Sequence, residues 1–76
     1  MRRSVREVLS QAFCDAAMSR ANAELAGNWA AARVLLGMQA VIGYTEGLIR
    51  GDLDAEEYLR RVRALLKEAE QYQARA

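Results

Sequence analysis

The sequence of 76 residues contains no histidine and only one cysteine, Cys14. A single thiol excludes an intramolecular disulfide, and without histidine it also excludes a structural zinc site of the usual Cys/His type. The chain also lacks the side chain that most often acts as a base near neutral pH. Cys14 is expected mid-helix with no neighbouring base to activate it, so we interpret it as a buried free cysteine. We therefore predict a non-enzymatic protein without catalytic residues, cofactor or metal.

The sequence has no excess of one charge and no long apolar run. Eleven basic and ten acidic residues give a net charge of +1, which argues against gripping nucleic acid or an anionic membrane over the whole surface. The longest uncharged run, 34–45, has 12 residues, whereas a membrane-spanning helix needs about 20. The N-terminal MRRSVREV lacks the apolar core of a signal peptide. We predict a cytoplasmic protein without a membrane span.

Ser4 and Glu7 have the spacing of a capping box and predict the start of a first helix. One face of this helix is dominated by small residues, which would allow close approach of a neighbouring helix; it comprises Val5, Val8, Leu9, Ala12, Phe13, Ala16, Ser19 and Ala23. A weaker apolar stripe lies roughly opposite and comprises Cys14, Met18, Ala21 and Leu25.

Glycine and capping residues mark two breaks between helices. Gly27 suits the left-handed position that ends a helix, and Asn28 is a strong N-cap for the next one. Gly27-x-Trp29-x-x-Ala32 resembles the turn inside a tetratricopeptide repeat over six residues, which we interpret as shared turn chemistry. At the second break, Gly51 ends a helix and Asp54 begins another. Two tight turns are therefore predicted.

The segment 29–49, WAAARVLLGMQAVIGYTEGLI, carries almost no polar side chain. At about 100° per residue its positions fall into three sectors. A thin polar strip holds Gln39, Glu46 and Arg50, with Ala32 and Gly43 beside it. Bulky residues fill a second sector, and the third contains Gly37, Ala40, Tyr44 and Gly47. Because glycine inside a helix costs ~1 kcal/mol relative to alanine, we predict that a second helix closely approaches the glycines of this segment, Gly37, Gly43 and Gly47.

The last helix is predicted to be half buried and half solvated. Its apolar face holds Tyr58, Leu59, Val62, Leu65, Leu66, Ala69 and Tyr72. Asp54 and Glu57 have the spacing of a capping box, and Leu53 and Tyr58 that of a hydrophobic staple. On the charged face we predict ion pairs between Glu56 and Arg60 and between Glu57 and Arg61.

These patterns predict an all-α single domain, residues 1–76, with no strand. Three antiparallel helices, at about 4–26, 28–50 and 54–74, form a small bundle. A chain this short is marginal without a staple or a partner, and its middle helix offers two apolar sectors. The first and third helices could cover one sector each. We favour the alternative, in which a twofold dimer completes the bundle.

The remaining functional class is protein interaction. We predict an adaptor, an accessory subunit or an inhibitor that binds an unidentified larger protein and itself. The interface candidates are Met18, Leu25, Gly37, Ala40, Tyr44, Gly47 and Tyr72. The stretch from Gly51 to Tyr58 is also similar to short helical modules that promote oligomerisation in bacterial proteins.

A nucleic-acid-associated regulator is the alternative function. A dimer would present two copies of the basic clusters Arg2/Arg3/Arg6 and Arg60/Arg61/Arg63. The sequence ranks this alternative lower, because acidic residues alternate with the second cluster as on a solvated helix face.

Overall fold

The structure is a computed structural model that describes residues 3–75, with side chains described for residues 3–71. It contains three helices, α1 (Val5–Leu25), α2 (Trp29–Arg50) and α3 (Ala55–Arg75). The predicted all-α class is confirmed for this part of the chain, and the predicted helix ends agree to within one residue. Within the described ranges, no helix has both the length and the apolarity needed to cross a membrane.

Each helix begins at the N-cap that the sequence indicates. Side-chain oxygens of Ser4, Asn28 and Asp54 accept backbone N–H groups three residues later, at 3.1, 3.2 and 2.8 Å. Among the described residues, the return bond that would complete a capping box is not formed by Glu7 or by Glu57. The Glu57 carboxylate binds Arg60 and Arg61 instead. In each predicted capping box, only the bond to the N-cap side chain therefore forms.

Both turns use a glycine in the left-handed conformation. Gly27 has φ 74° and Gly51 has φ 84°. After α1, the N–H of Asn28 donates to the Ala23 carbonyl at 2.8 Å; after α2, the N–H of Asp52 donates to the Gly47 carbonyl at 2.9 Å. These six-to-one bonds belong to the Schellman motif. They satisfy the last carbonyls while the chain reverses, which confirms the two predicted turns.

α2 lies between the other two helices. On one side Phe13 of α1 lies against Gly43, where a Cβ would be 3.6 Å from the phenyl ring. On the other side the hydroxyls of Thr45 and Tyr58 are 3.0 Å apart. Because these two α2 positions differ by roughly 160–200° around the helix at 100° per residue, α1 and α3 lie on nearly opposite sides of α2. The result is a flat layer measuring 41 × 30 × 15 Å.

This layer leaves α1 and α3 apart. Over the residues that the structure describes, the two helices do not pack against each other. The bundle that we expected a dimer to complete therefore stays a prediction. The two helices stay apart because of the sector on which α1 lies. Gln39 and Ala32, which belong to or adjoin the thin polar strip of α2, are buried, and small side chains there let α1 approach closely.

Within the single chain, the prediction that a second helix closely approaches α2 is wrong at two of the three glycines inside the helix. A Cβ added at Gly37 would meet nothing within 4 Å. Gly47 is crowded, but by the turn residue Leu53 at 3.3 Å and not by a helix. At Gly43, beside the polar strip, the prediction is confirmed, because Phe13 of α1 lies against it.

The buried core is very small. Among the described residues, the buried hydrophobic side chains are those of Ala16 and Ala32. Gln39 is 9% exposed, and its Oε1 atom has no hydrogen-bond partner. A buried acceptor without a partner costs about 1–3 kcal/mol of stability. The contact between α1 and α2 therefore buries little apolar surface and also carries this cost.

Replacing Gly43 and Gly47 should change stability in opposite directions. Gly43→Ala should raise the free energy of unfolding by about 1 kcal/mol, because it removes an interior glycine and its Cβ meets Phe13 at ordinary contact distance. Gly47→Leu should lower it by about 1–3 kcal/mol, because the site is already tight against Leu53. Chemical denaturation followed by circular dichroism measures both. Equal effects of the two variants would contradict the assigned contacts.

Removing the unpaired amide of Gln39 should stabilise the protein. Gln39→Met keeps a similar length and replaces the buried polar group, so the free energy of unfolding should rise by about 1 kcal/mol. The matched control is Gln71→Met at an exposed position, which should change it by less than about 0.5 kcal/mol. A clear loss of stability in Gln39→Met would show that the amide oxygen has a partner in solution.

Candidate interaction surface

Large apolar side chains are exposed on all three helices. They include Met18 and Leu25 on α1, which are 68% and 87% exposed, and Leu66 on α3, which is 58% exposed. The remainder are Val5, Val8, Phe13, Trp29, Val34, Leu36, Met38, Ile49 and Leu59. Single exposed apolar residues are common, but a contiguous apolar patch marks an interaction site. The relevant question is therefore which of these residues lie together.

α3 is held on α2 near the Gly51 turn. The Thr45 hydroxyl donates its hydrogen to the Val41 carbonyl at 2.8 Å, so the Tyr58 hydroxyl donates to Thr45. One turn further along α3, the Arg61 guanidinium lies 5.4 Å from the centre of the Tyr44 ring, within the range of a cation–π contact. Both polar contacts involve the first third of α3.

Beyond Arg61, an apolar groove separates α2 from α3. Its walls are Gly37, Met38, Val41 and Ile42 on α2 and Val62, Leu65 and Leu66 on α3. Met38 on the α2 wall and Leu66 on the α3 wall are 52% and 58% exposed. We call this the α2–α3 groove. It is the place where exposed residues of two helices meet in one apolar patch.

The chemistry of the α2–α3 groove favours a protein ligand over a small molecule. Its volume of ≈ 410 Å³ is within the range of small-molecule sites, which are about 300–1,000 Å³. Such sites carry a few convergent polar groups that orient the ligand, whereas all the lining residues here are apolar. A side-chain ridge of another helix needs no such groups.

The structure separates the predicted interface residues into three groups. Met18 and Leu25 are exposed and lie on the side of α1 that faces away from α2. Gly37 lines the α2–α3 groove, while Ala40 and Tyr44 are half-buried on α2 and Gly47 is buried. The side chain of Tyr72 falls outside the described side chains. These residues therefore do not form one surface.

Sequence reasoning missed the groove residues Met38, Ile42, Val62 and Leu66 as site residues. It left open whether the bulky sector of α2 is covered by α1 or α3 or by a second copy, and it described α3 only as half buried. The available signal was the pairing of two stripes: Met38, Ile42 and Ile49 on α2 and Leu59, Val62 and Leu66 on α3. The α3 stripe follows three- and four-residue spacing, and the α2 stripe follows four- and seven-residue spacing.

The arginines of the two basic clusters differ in their surroundings. Arg60 and Arg61 both bind the Glu57 carboxylate, Arg61 at 3.1 Å. The predicted Glu57–Arg61 pair is therefore confirmed, whereas the predicted Glu56–Arg60 pair is wrong because Arg60 binds Glu57 instead. Arg3 and Arg6 are exposed on or beside the first turn of α1, and Arg2 lies outside the described residues. Two of the three arginines of the α3 cluster therefore share one carboxylate, which offsets one of the cluster's three positive charges.

Cys14 is exposed, so the prediction of a buried cysteine was wrong. It lies on the face of α1 opposite to the small residues that contact α2, and the single chain has no further element to cover it. The described residues contain no group of three or more His, Cys, Asp or Glu side chains arranged to hold a metal ion.

Comparisons of the chain with protein families, with characterised proteins and with solved structures find no match. The interpretation of the surface therefore depends on its own residues.

Cys14 should react freely with alkylating reagents in the native protein. Its exposed thiol should be modified by iodoacetamide at a rate within about threefold of that in urea, because access is not limiting. Mass spectrometry of quenched samples measures this rate. Strong protection that grows with protein concentration would instead show that this side of α1 is covered by another chain.

Proposed function

We propose that this chain is a non-enzymatic helical protein that acts through protein–protein interaction, as an adaptor, accessory subunit or inhibitor of a larger protein, and that it associates with itself as a twofold dimer. The observation that carries the proposal is the ratio of buried to exposed apolar side chains. Two alanines are the buried hydrophobic residues of the described chain, while twelve large hydrophobic residues are exposed.

The accessible surface gives this observation a magnitude. The chain exposes 5,969 Å², whereas a compact monomer of 8.5 kDa exposes about 4,650 Å². The excess is about 1,300 Å² for each chain. Two chains that covered this excess on each other would bury about 2,600 Å², within the range of obligate homodimers, about 2,000–5,000 Å². The missing cover thus matches one further copy of the chain.

The charge balance supports the same class of function. With a net charge of +1, the chain has little long-range repulsion against a second copy. Large apolar residues of α2 stay 45–67% exposed after α1 and α3 have docked; they are Trp29, Val34, Leu36, Met38 and Ile49. A protein ligand, either a second copy or a larger protein, would supply the missing neighbours of α2.

Self-association should be visible as a mass that depends on concentration. Sedimentation equilibrium and multi-angle light scattering should give a dimer mass at about 100 μM and a falling mean mass on dilution. The thermal midpoint should rise with protein concentration over the same range, because the dimer stabilises the folded chain by mass action.

A strict monomer at about 100 μM with a concentration-independent midpoint would contradict self-association. In that case, capture experiments with the intact chain would be the remaining way to identify the larger partner.

A further inference from the structure

We infer that the α2–α3 groove is the dimer interface: the α3 ridge of a second copy occupies it, and the first copy's α3 occupies the partner's groove in return. This inference rests on the proposed self-association and specifies its surface. A twofold interface must be self-complementary, with the same surface on both chains. Here a single chain carries both a ridge and a groove.

The ridge is an apolar seam along α3. Leu59, Val62, Leu66 and Ala69 follow the alternating three- and four-residue spacing of a coiled-coil seam. Leu59 and Leu66 are 39% and 58% exposed. The contact of α3 with α2 uses the adjacent positions Tyr58 and Arg61. The seam therefore remains open after α3 has docked on its own chain.

The groove fits this ridge in chemistry and in position. Its α2 wall contains Met38, 52% exposed, with Ile42 one turn away. Its α3 wall contains Val62 and Leu66, which also belong to the seam. Two chains that meet here bring apolar stripes of α2 and α3 from both copies together as four helices around one core. That arrangement supplies the large buried side chains which the single chain lacks.

The outer face of α1 is the competing surface. Met18 and Leu25 are more exposed than the groove residues. The concavity on this side of α1, ≈ 600 Å³, has a mostly polar lining and therefore does not match an apolar ridge; it comprises Arg3, Ser4, Arg6, Glu7, Ser10, Gln11 and Cys14. The inference therefore predicts opposite states for the two surfaces. The groove is covered in the dimer, and the outer face of α1 is not.

A charge placed in the groove should separate the two chains. Leu66→Glu should weaken dimerisation by at least about 100-fold, because it buries a carboxylate without a partner in the interface. The matched control Met18→Glu introduces the same charge at a position of similar exposure and should change the dissociation constant by less than about threefold. Sedimentation equilibrium gives both constants, and far-ultraviolet circular dichroism checks helix content.

A second measurement does not require the folded protein to tolerate a charge at position 66. With Cys14→Ser as background, Leu66→Cys should be alkylated at least about ten times more slowly in the dimer than after dilution to monomer, because the thiol is covered. Met18→Cys in the same background should react at the same rate under both conditions.

The outcomes separate the inference from the proposed function. A dimeric wild type whose association survives Leu66→Glu but is lost in Met18→Glu would leave self-association intact and overturn the groove assignment. Equal alkylation of Leu66→Cys at all concentrations in a dimeric protein would do the same. A wild type that stays monomeric would overturn both, and the groove would then be assigned to a different protein.

Discussion

The position of α1 on α2 determines the rest of the structure. α1 docks on the narrowest and most polar sector of α2, where Ala32 and Gly43 allow close approach and Gln39 is buried. This contact covers small side chains and leaves the bulky ones to other neighbours. Because α3 then docks on nearly the opposite side of α2, the three helices form a layer only 15 Å thick. A single layer of helices has two faces and no interior.

That geometry explains why local features are well formed while the core is not. N-caps, left-handed glycines and short-range ion pairs depend on residues close in sequence, and each forms within the single chain. A hydrophobic core depends on elements that enclose a volume, and two helices on opposite sides of a third enclose none. The chain therefore combines well-formed local structure with a core that encloses few side chains.

The helices, their ends and both turns could be predicted from the sequence because their signals are local. Ser4, Asn28, Gly51 and Asp54 each act through hydrogen bonds within a few residues. Helix contacts could not be predicted in the same way, since helical spacing shows which residues share a sector but not which sector meets which helix. All three glycines inside α2 were interpreted as helix contact sites, but only Gly43 faces a neighbouring helix, whereas Gly37 does not. Cys14 was misplaced for a related reason, because free cysteines are usually buried and α1 has only one covered side.

The contacts between Thr45 and Tyr58 and between Tyr44 and Arg61 have a mechanical consequence. They fix α3 close to Gly51 and leave the remaining length of the helix, about 20 Å at 1.5 Å per residue, attached through the sides of an open groove. A rotation of α3 by about 10° about Arg61 would therefore displace the far end of the helix by about 3.5 Å. The width of the groove is set by this angle, so an occupant that fills the groove also sets the direction of the C-terminal end of the helix.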